Sequence, residues 1–189
     1  MSLPNIIKDT QIKISAIPLK KTAEVTTGAR LSRERLTNEF RMNPPHDLRD
    51  YWCWAIVAEG ISLYHPKPDP VSQCDIAAVL FPDRECCSSH KECDETKELD
   101  EALKATGNYA SGPEGPAGFW AIDAQLQDDK PVCCRIGDAY SGHYVVIIDT
   151  YVLNGTEFVS FLDPYYDRGP DPPYESFIAS CSDTYFTLK

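Results

Sequence analysis

An apolar stretch that opens on one cysteine, Tyr51 to Gly60 (YWCWAIVAEG), constrains the fold of this chain more than any other feature. Apolar residues continue to Tyr64 and occupy nearly every side of a helix that begins near Cys53. Such a composition is typical of a central helix surrounded by protein. Alternating prolines from Pro66 onward end the helix. The sequence therefore predicts a fold built around this helix, with Cys53 in its first turn.

Length and composition predict one folded domain preceded by a lead-in segment. A chain of 189 residues is long enough for one full hydrophobic core. We place the domain at residues 45–189 and the lead-in segment at residues 1–44, which ends where Asn43 meets two prolines. Within the lead-in segment, alternation from Ile12 to Ala16 predicts a short edge strand, and Leu31 to Leu36 fits a short helix.

The rest of the chain changes from helical to strand periodicity after Lys130. Ser72 and Asp75 form a capping-box pattern before a second helix. Asn154-Gly155 is typical of a tight hairpin turn. Helices followed by an antiparallel sheet indicate an α+β fold. The other predicted elements are a helix capped by Asp94 and ending at Gly107, a short helix with Phe119, Ile122 and Leu126 on one face, and strands at 131–136, 143–152, 157–163 and 184–188.

Cys53 and His143 have the setting of a thiol nucleophile and its base. The start of a helix directs unpaired N–H groups at Cys53 and favours the thiolate. The alternative is that Cys53 is a small buried apolar residue. His143 follows Gly142, which allows a substrate backbone to approach, and begins the most apolar strand, whose rigidity suits a general base. The alternative for His143 is a structural histidine.

Asp163 would orient the imidazole of His143, although an Asp before Pro164 is also a common turn starter. Direct opposition of the two residues requires an odd-numbered hairpin loop. A strict two-residue turn would place Asp163 opposite Val146, about 10 Å along the strand from His143 at 3.4 Å per residue. The sequence therefore predicts a longer loop or a β-bulge between the two strands.

Together these motifs resemble the papain-like cysteine proteases, in particular the compact bacterial branch with type III effector proteases and double-glycine leader peptidases. The likeness lies in Trp52 to Ala55, Ser72 to Ala77, Pro131-Val132, Gly142 to Val146 and Asp163-Pro164, and spans about residues 45–178. It implies a helical half packed on an antiparallel sheet. It also implies hydrolysis of peptide bonds through an acyl-enzyme, with Cys53 as nucleophile, His143 as base and Asp163 as orienting residue.

One position departs from the family pattern. Relatives place a glutamine about six residues before the nucleophile, where its side-chain N–H helps to form the oxyanion hole, and this chain has Asp47 there. Loss of one such donor costs about 100- to 1000-fold in rate. Asn43, His46 or Arg49 could substitute for it. Two alternatives therefore stay open: a weak or inactive domain that binds peptide, and an acyltransferase of the transglutaminase type.

The eight cysteines favour an oxidising compartment, hence a secreted or periplasmic protein, although the first residues lack the regions of a signal peptide. With Cys53 free, at most three disulfides form. Disulfides that join the loop to the second helix are favoured over a zinc site for Cys74, Cys86, Cys87 and Cys93 with His90. The net charge of −11 argues against nucleic acid as a partner. We expect no cofactor, no bound metal and no membrane-spanning segment, and a peptide or protein as substrate.

Overall fold

The computed structural model describes residues 25–26, 51–65, 71–88, 92–137, 142–166 and 170–189. The architecture is mixed α+β, with an antiparallel sheet. Its elements in chain order are β1 (Val25–Thr26), α1 (Cys53–Tyr64), α2 (Gln73–Leu80), α3 (Leu99–Ala105), β2 (Tyr109–Ser111), α4 (Phe119–Gln127), β3 (Val132–Ile136), β4 (His143–Leu153), β5 (Thr156–Leu162), α5 (Tyr174–Ile178) and β6 (Cys181–Thr187).

The sheet is organised around β4, its longest described strand. On one edge β4 pairs with β5, and on the other edge it pairs with β3 near its start and with β1 near its end. β3 continues the sheet to β6, and β6 pairs with β2. The helix α1 packs against β4, which is its main contact in the sheet. The longest described strand and the central helix therefore lie against each other.

The central helix begins at Cys53 and ends at Tyr64, as the apolar run predicts. Cys53, Trp54, Ala55 and Val57 are all buried, so protein surrounds its first turns. The helix joins one continuous core with α2, α3, α4 and the sheet. Among the described residues, no helix has the length and apolar character needed to cross a membrane.

The start of α2 confirms the capping box. The Ser72 hydroxyl accepts from Asp75 N, and the Asp75 carboxylate accepts from Ser72 N. The prediction that Asp94 caps the third helix is wrong, because α3 begins at Leu99 and Glu98 precedes it. The Asp94 carboxylate instead accepts a hydrogen bond from Tyr51 N at 3.0 Å. A contact between distant parts of the chain thus takes the side chain that local sequence assigned to a cap.

The β4–β5 hairpin combines a tight turn with a β-bulge. Leu153 pairs with Thr156 across a two-residue turn in which Asn154 and Gly155 have φ of 51° and 78°. A longer loop is therefore the wrong alternative. The pairing register then shifts between Ile147 and Asp149, which confirms the alternative of a bulge. The bulge decides where the end of β5 meets the start of β4.

Three of the four predicted strands match the observed ones to within one residue at each end. The fourth, β6, begins at Cys181, three residues before the predicted 184. The pattern missed β2 and α5, which have 3 and 5 residues and too little length to show a period. The predicted edge strand and helix of the lead-in segment lie outside the described residues.

Candidate active site

Cys53 occupies the first position of α1 and is 7% exposed. The preceding Trp52 carbonyl accepts hydrogen bonds from Ala55 N and Ile56 N, both at 3.0 Å. This turn leaves the first N–H groups of the helix without partners inside the helix, as at any helix start. The site thus has the helix-terminal thiol that the sequence predicts.

Three contacts hold the start of α1 against the segment 93–95. The Trp52 indole donates to Cys93 O at 2.7 Å, and the Trp54 indole donates to Glu95 O at 3.0 Å. The hydrogen bond from Tyr51 N to Asp94 adds a third. Both indoles are buried, and Cys53 stands between the two tryptophans in the chain. These contacts therefore fix the orientation of the helix start that carries Cys53.

Two disulfides hold this segment and its loop, and one of them ties the loop to α2. Cys74 in α2 bonds to Cys87, and Cys86 bonds to Cys93. The prediction that disulfides join the loop to the second helix is confirmed by the first of these. The second ends at the residue whose carbonyl accepts from Trp52. The cysteine-rich loop therefore supports the start of α1.

His143 begins β4 and is 7% exposed. Its Nε2 lies 2.8 Å from Asp163 Oδ1. Asp163 follows directly on the last pair, Val146 with Leu162, so it lies on the same sheet face as Val145 and His143. Without the bulge the register would place it on the opposite face, because a shift of one residue moves every side chain to the other side. The bulge, rather than direct opposition, brings the two residues together.

The Asp163 carboxylate is held by its own turn. Oδ1 accepts from Tyr165 N at 2.8 Å and from Tyr166 N at 3.2 Å, in addition to its contact with His143. Such a hydrogen bond two residues onward is the Asx turn that an Asp before Pro164 favours. The turn-forming role and the orienting geometry are thus both present in one side chain.

The Cys53 thiol lies close enough to the His143 imidazole to influence its charge state. Because Nε2 faces Asp163, Nδ1 is the nitrogen that remains for the thiol. Burial of the ring acts against the charged form, but the hydrogen bond to Asp163 and the interaction with Cys53 outweigh it and raise the pKa of His143 from 6.5 to about 9. The structure therefore brings all three predicted site residues together and favours a protonated imidazole between two acidic groups.

Two tyrosines that follow Asp163, Tyr165 and Tyr166, flank the His143 ring. The Tyr165 ring stacks on the imidazole with centroids 5.2 Å apart and 20° between planes. Tyr166 approaches edge-on at 6.4 Å and is 49% exposed. Their backbone amides also hold Asp163. The sequence alone did not place these two tyrosines beside His143, although two aromatic residues just after an Asp-Pro turn are a signal that could have indicated it.

Gly142 has a neighbour that the sequence did not reveal. A Cβ at this position would lie 2.2 Å from Arg135 Nε, so the guanidinium packs directly against the glycine. Any side chain here would displace Arg135. The glycine thus makes room for the Arg135 side chain, and the approach of a substrate backbone at Gly142 stays a prediction.

The predicted oxyanion position, Asp47, lies outside the described residues, as do Asn43, His46 and Arg49. His90, the fifth residue of the zinc alternative, does too. In the part of the chain that the structure describes, no group of three His, Cys, Asp or Glu side chains is arranged to hold a metal. The free thiols in that part are Cys53, Cys133, Cys134 and Cys181, all buried.

What the site can do chemically follows from these contacts. A thiol at a helix start, an imidazole beside it and a carboxylate that orients the ring form a nucleophile with an oriented base. The same arrangement serves hydrolysis and acyl transfer to other acceptors. Comparison of the chain with protein-family models and with curated proteins gives no match in either case.

Proposed function

We propose that this protein is a cysteine peptidase of the papain-like type, which hydrolyses peptide bonds through an acyl-enzyme thioester. The observation that carries the proposal is the position of the His143 imidazole, which hydrogen-bonds Asp163 through Nε2 and lies beside the Cys53 thiol. Thiol, imidazole and carboxylate act as a unit in this chemistry. The proposal extends to the fold, since a helix that carries the thiol packs on an antiparallel sheet that carries the base.

In the first half of the reaction, the Cys53 thiolate attacks the carbonyl carbon of the scissile bond. The His143 imidazolium gives its proton to the departing amine, and the C–N bond breaks as the thioester remains. In the second half, neutral His143 takes a proton from water, and the hydroxide attacks the thioester. The carboxylic acid leaves and the proton returns to the Cys53–His143 pair. Asp163 holds the ring in one tautomer throughout.

The hydrogen-bonded surroundings of the site support this division of roles. Asp163 accepts from two backbone amides besides the imidazole, so its carboxylate cannot rotate away without losing three hydrogen bonds. The start of α1 is fixed by the two indole contacts at residues 93 and 95. Rigid placement of both partners is what a nucleophile and base within hydrogen-bond reach require.

The test is incubation of the full chain with a diverse peptide mixture, followed by mass spectrometry of new termini. We expect cleavage by the wild type and none by the Cys53→Ala or His143→Ala variant. The matched control is Cys133→Ser, which removes a buried thiol away from the site and keeps cleavage. A parallel arm adds a primary amine. Products that carry the amine in place of water would show acyl transfer instead of hydrolysis. Binding of peptide without any product would refute enzymatic activity.

A further inference from the structure

Two thiols that the proposed reaction does not use lie together on the sheet. Cys134 is in β3 and Cys181 begins β6, with 0% and 5% exposure. Neither belongs to the two disulfides of the cysteine-rich loop. A chain that already forms disulfides meets oxidising conditions, so two thiols in contact call for an explanation.

The register of β3 with β6 places both thiols on one face. Cys134 pairs with Thr184 and Ile136 pairs with Cys181, with a register shift between them. Because residues two apart on a strand point to the same side, Cys134 and Cys181 project from the same face. Their sulfurs both reach Thr184 Oγ1, at 4.0 Å and 3.9 Å. Each thiol also shifts the pKa of the other, as neighbouring groups do.

We propose that Cys134 and Cys181 form a third intramolecular disulfide when the chain folds in the presence of a small disulfide such as glutathione disulfide. The chain has 8 cysteines, and four of them form the two disulfides already described. The third bond leaves Cys53 and Cys133. Cys133 adjoins Cys134 on the strand and therefore points to the opposite face, away from Cys181.

The chemistry is two steps of thiol–disulfide exchange. The Cys181 thiolate attacks one sulfur of glutathione disulfide, which forms a mixed disulfide and releases one glutathione thiolate. The Cys134 thiolate then attacks the Cys181 sulfur and releases the second glutathione. Two protein thiols are oxidised, one glutathione disulfide is reduced, and the two thiol protons pass to the released glutathione thiolates. Because both thiols are buried in the final fold, the exchange takes place while β6 is still joining the sheet.

The environment of the pair favours this order of attack. In the folded sheet the neighbouring Cys134 thiol lowers the pKa of Cys181 below its ordinary value, while the pKa of Cys134 is raised. As β6 takes up this position beside β3, Cys181 becomes the better nucleophile of the two. Burial alone raises the pKa of the Cys133 thiol, so Cys133 competes poorly for the oxidant.

The bond would lock the last strand of the sheet. Its cysteines lie 47 positions apart (181 minus 134), against 13 and 7 for the two disulfides of the loop. A disulfide that closes a longer loop removes more entropy from the unfolded chain. For a loop of this length in a chain of this size, we expect the melting temperature to rise by roughly 10 °C.

The decisive experiment counts thiols. The reduced, denatured chain is refolded with reduced and oxidised glutathione, then unfolded without reductant and alkylated with iodoacetamide for intact-mass analysis. The proposal predicts two alkylated cysteines in the wild type and one in Cys133→Ser. Four in the wild type and three in Cys133→Ser would overturn it, because those numbers leave the pair reduced.

Peptide mapping identifies the partner. Trypsin cleaves after Arg135 and after Arg168. Cys133 and Cys134 therefore lie in a peptide that ends at Arg135, and Cys181 lies in one that begins after Arg168. A disulfide-linked pair of these two peptides reports a bond to Cys181. The Cys133→Ser variant must still give the linked pair, and Cys134→Ser must lose it. The reverse pattern would assign the bond to Cys133 and refute the proposal. Neither readout depends on activity, so failure of the peptidase proposal leaves this test unaffected.

Discussion

Replacement of Asp163 by asparagine tests the electrostatics of the site in one step. Asparagine keeps an oxygen that accepts from the amides of Tyr165 and Tyr166, so the turn survives while the charge is lost. The pKa of His143 is raised from 6.5 to about 9 despite burial, which corresponds to a preference of about 3 kcal/mol for the imidazolium. Without the carboxylate, only the interaction with Cys53 is left to oppose burial, which favours the neutral ring. We expect the pKa of His143 to fall to about 7 or below.

The assay is an NMR titration of the histidine rings, with the His143 signal assigned from the spectrum of His143→Gln. At pH 8 the wild-type ring would be about nine-tenths protonated, and the Asp163→Asn ring about tenfold less so. Asn154→Ser serves as the control, because it changes an exposed turn residue of the same hairpin. A pKa of His143 that stays within a few tenths of the wild-type value in Asp163→Asn would refute this account of the site.

The same shift predicts how stability depends on pH. Because the folded pKa of His143, about 9, lies above its ordinary value of 6.5, the protonated ring stabilises the fold fully below pH 6.5. That contribution is lost as the pH rises through about 9. In urea unfolding, the wild type should exceed Asp163→Asn by about 2 kcal/mol at pH 6.5, and the difference should shrink by pH 9.5. A constant difference across this range would contradict the sign of the shift.

Other parts of the structure give further expectations. Ser72→Ala removes the N-cap of α2 and should lower the free energy of unfolding by about 1 kcal/mol in urea, whereas an unchanged value would mean that the cap contributes nothing. Tyr165→Ala removes the ring stacked on His143. It should shift the pH dependence of the rate at which Cys53 is alkylated. If stability changes while this pH dependence does not, Tyr165 has only a packing role. Replacement of both Cys86 and Cys93 by serine opens the smaller disulfide loop and should cost about 2 kcal/mol of stability, measured in the same way.

Local patterns predicted the elements whose signals are local. The apolar run fixed α1 from Cys53 to Tyr64, and the Asn154-Gly155 pair indicated a tight turn that is present. Alternation and continuous apolar runs gave β3, β4 and β5 nearly to the residue. These elements bury several consecutive or evenly spaced residues, so their pattern is readable. The residues proposed for the site could be named because Cys53 and His143 stand at the ends of such elements.

Contacts between distant segments were beyond the reach of the sequence. Asp94 looks like a cap and bonds Tyr51 instead. The bulge near Ile148 was expected only as one of two alternatives, because its position depends on how β5 packs. The start of β6 at Cys181 follows from a second register shift, opposite Ile136. Each of these depends on pairing partners far away in the chain, which no local window contains.

Hydrolysis through a thioester requires the Cys53–His143 pair to be an activated nucleophile. The rate of Cys53 alkylation by iodoacetamide at pH 6 measures this activation, with the site of alkylation located by peptide mapping. It is compared with the rate for glutathione and with the rate for His143→Ala. An ordinary thiol is only about 0.3% ionised at this pH. Because the imidazole beside Cys53 is protonated there, we predict alkylation at least tenfold faster than that of glutathione, and loss of this advantage in His143→Ala. A wild-type Cys53 that reacts no faster than glutathione would contradict this activation.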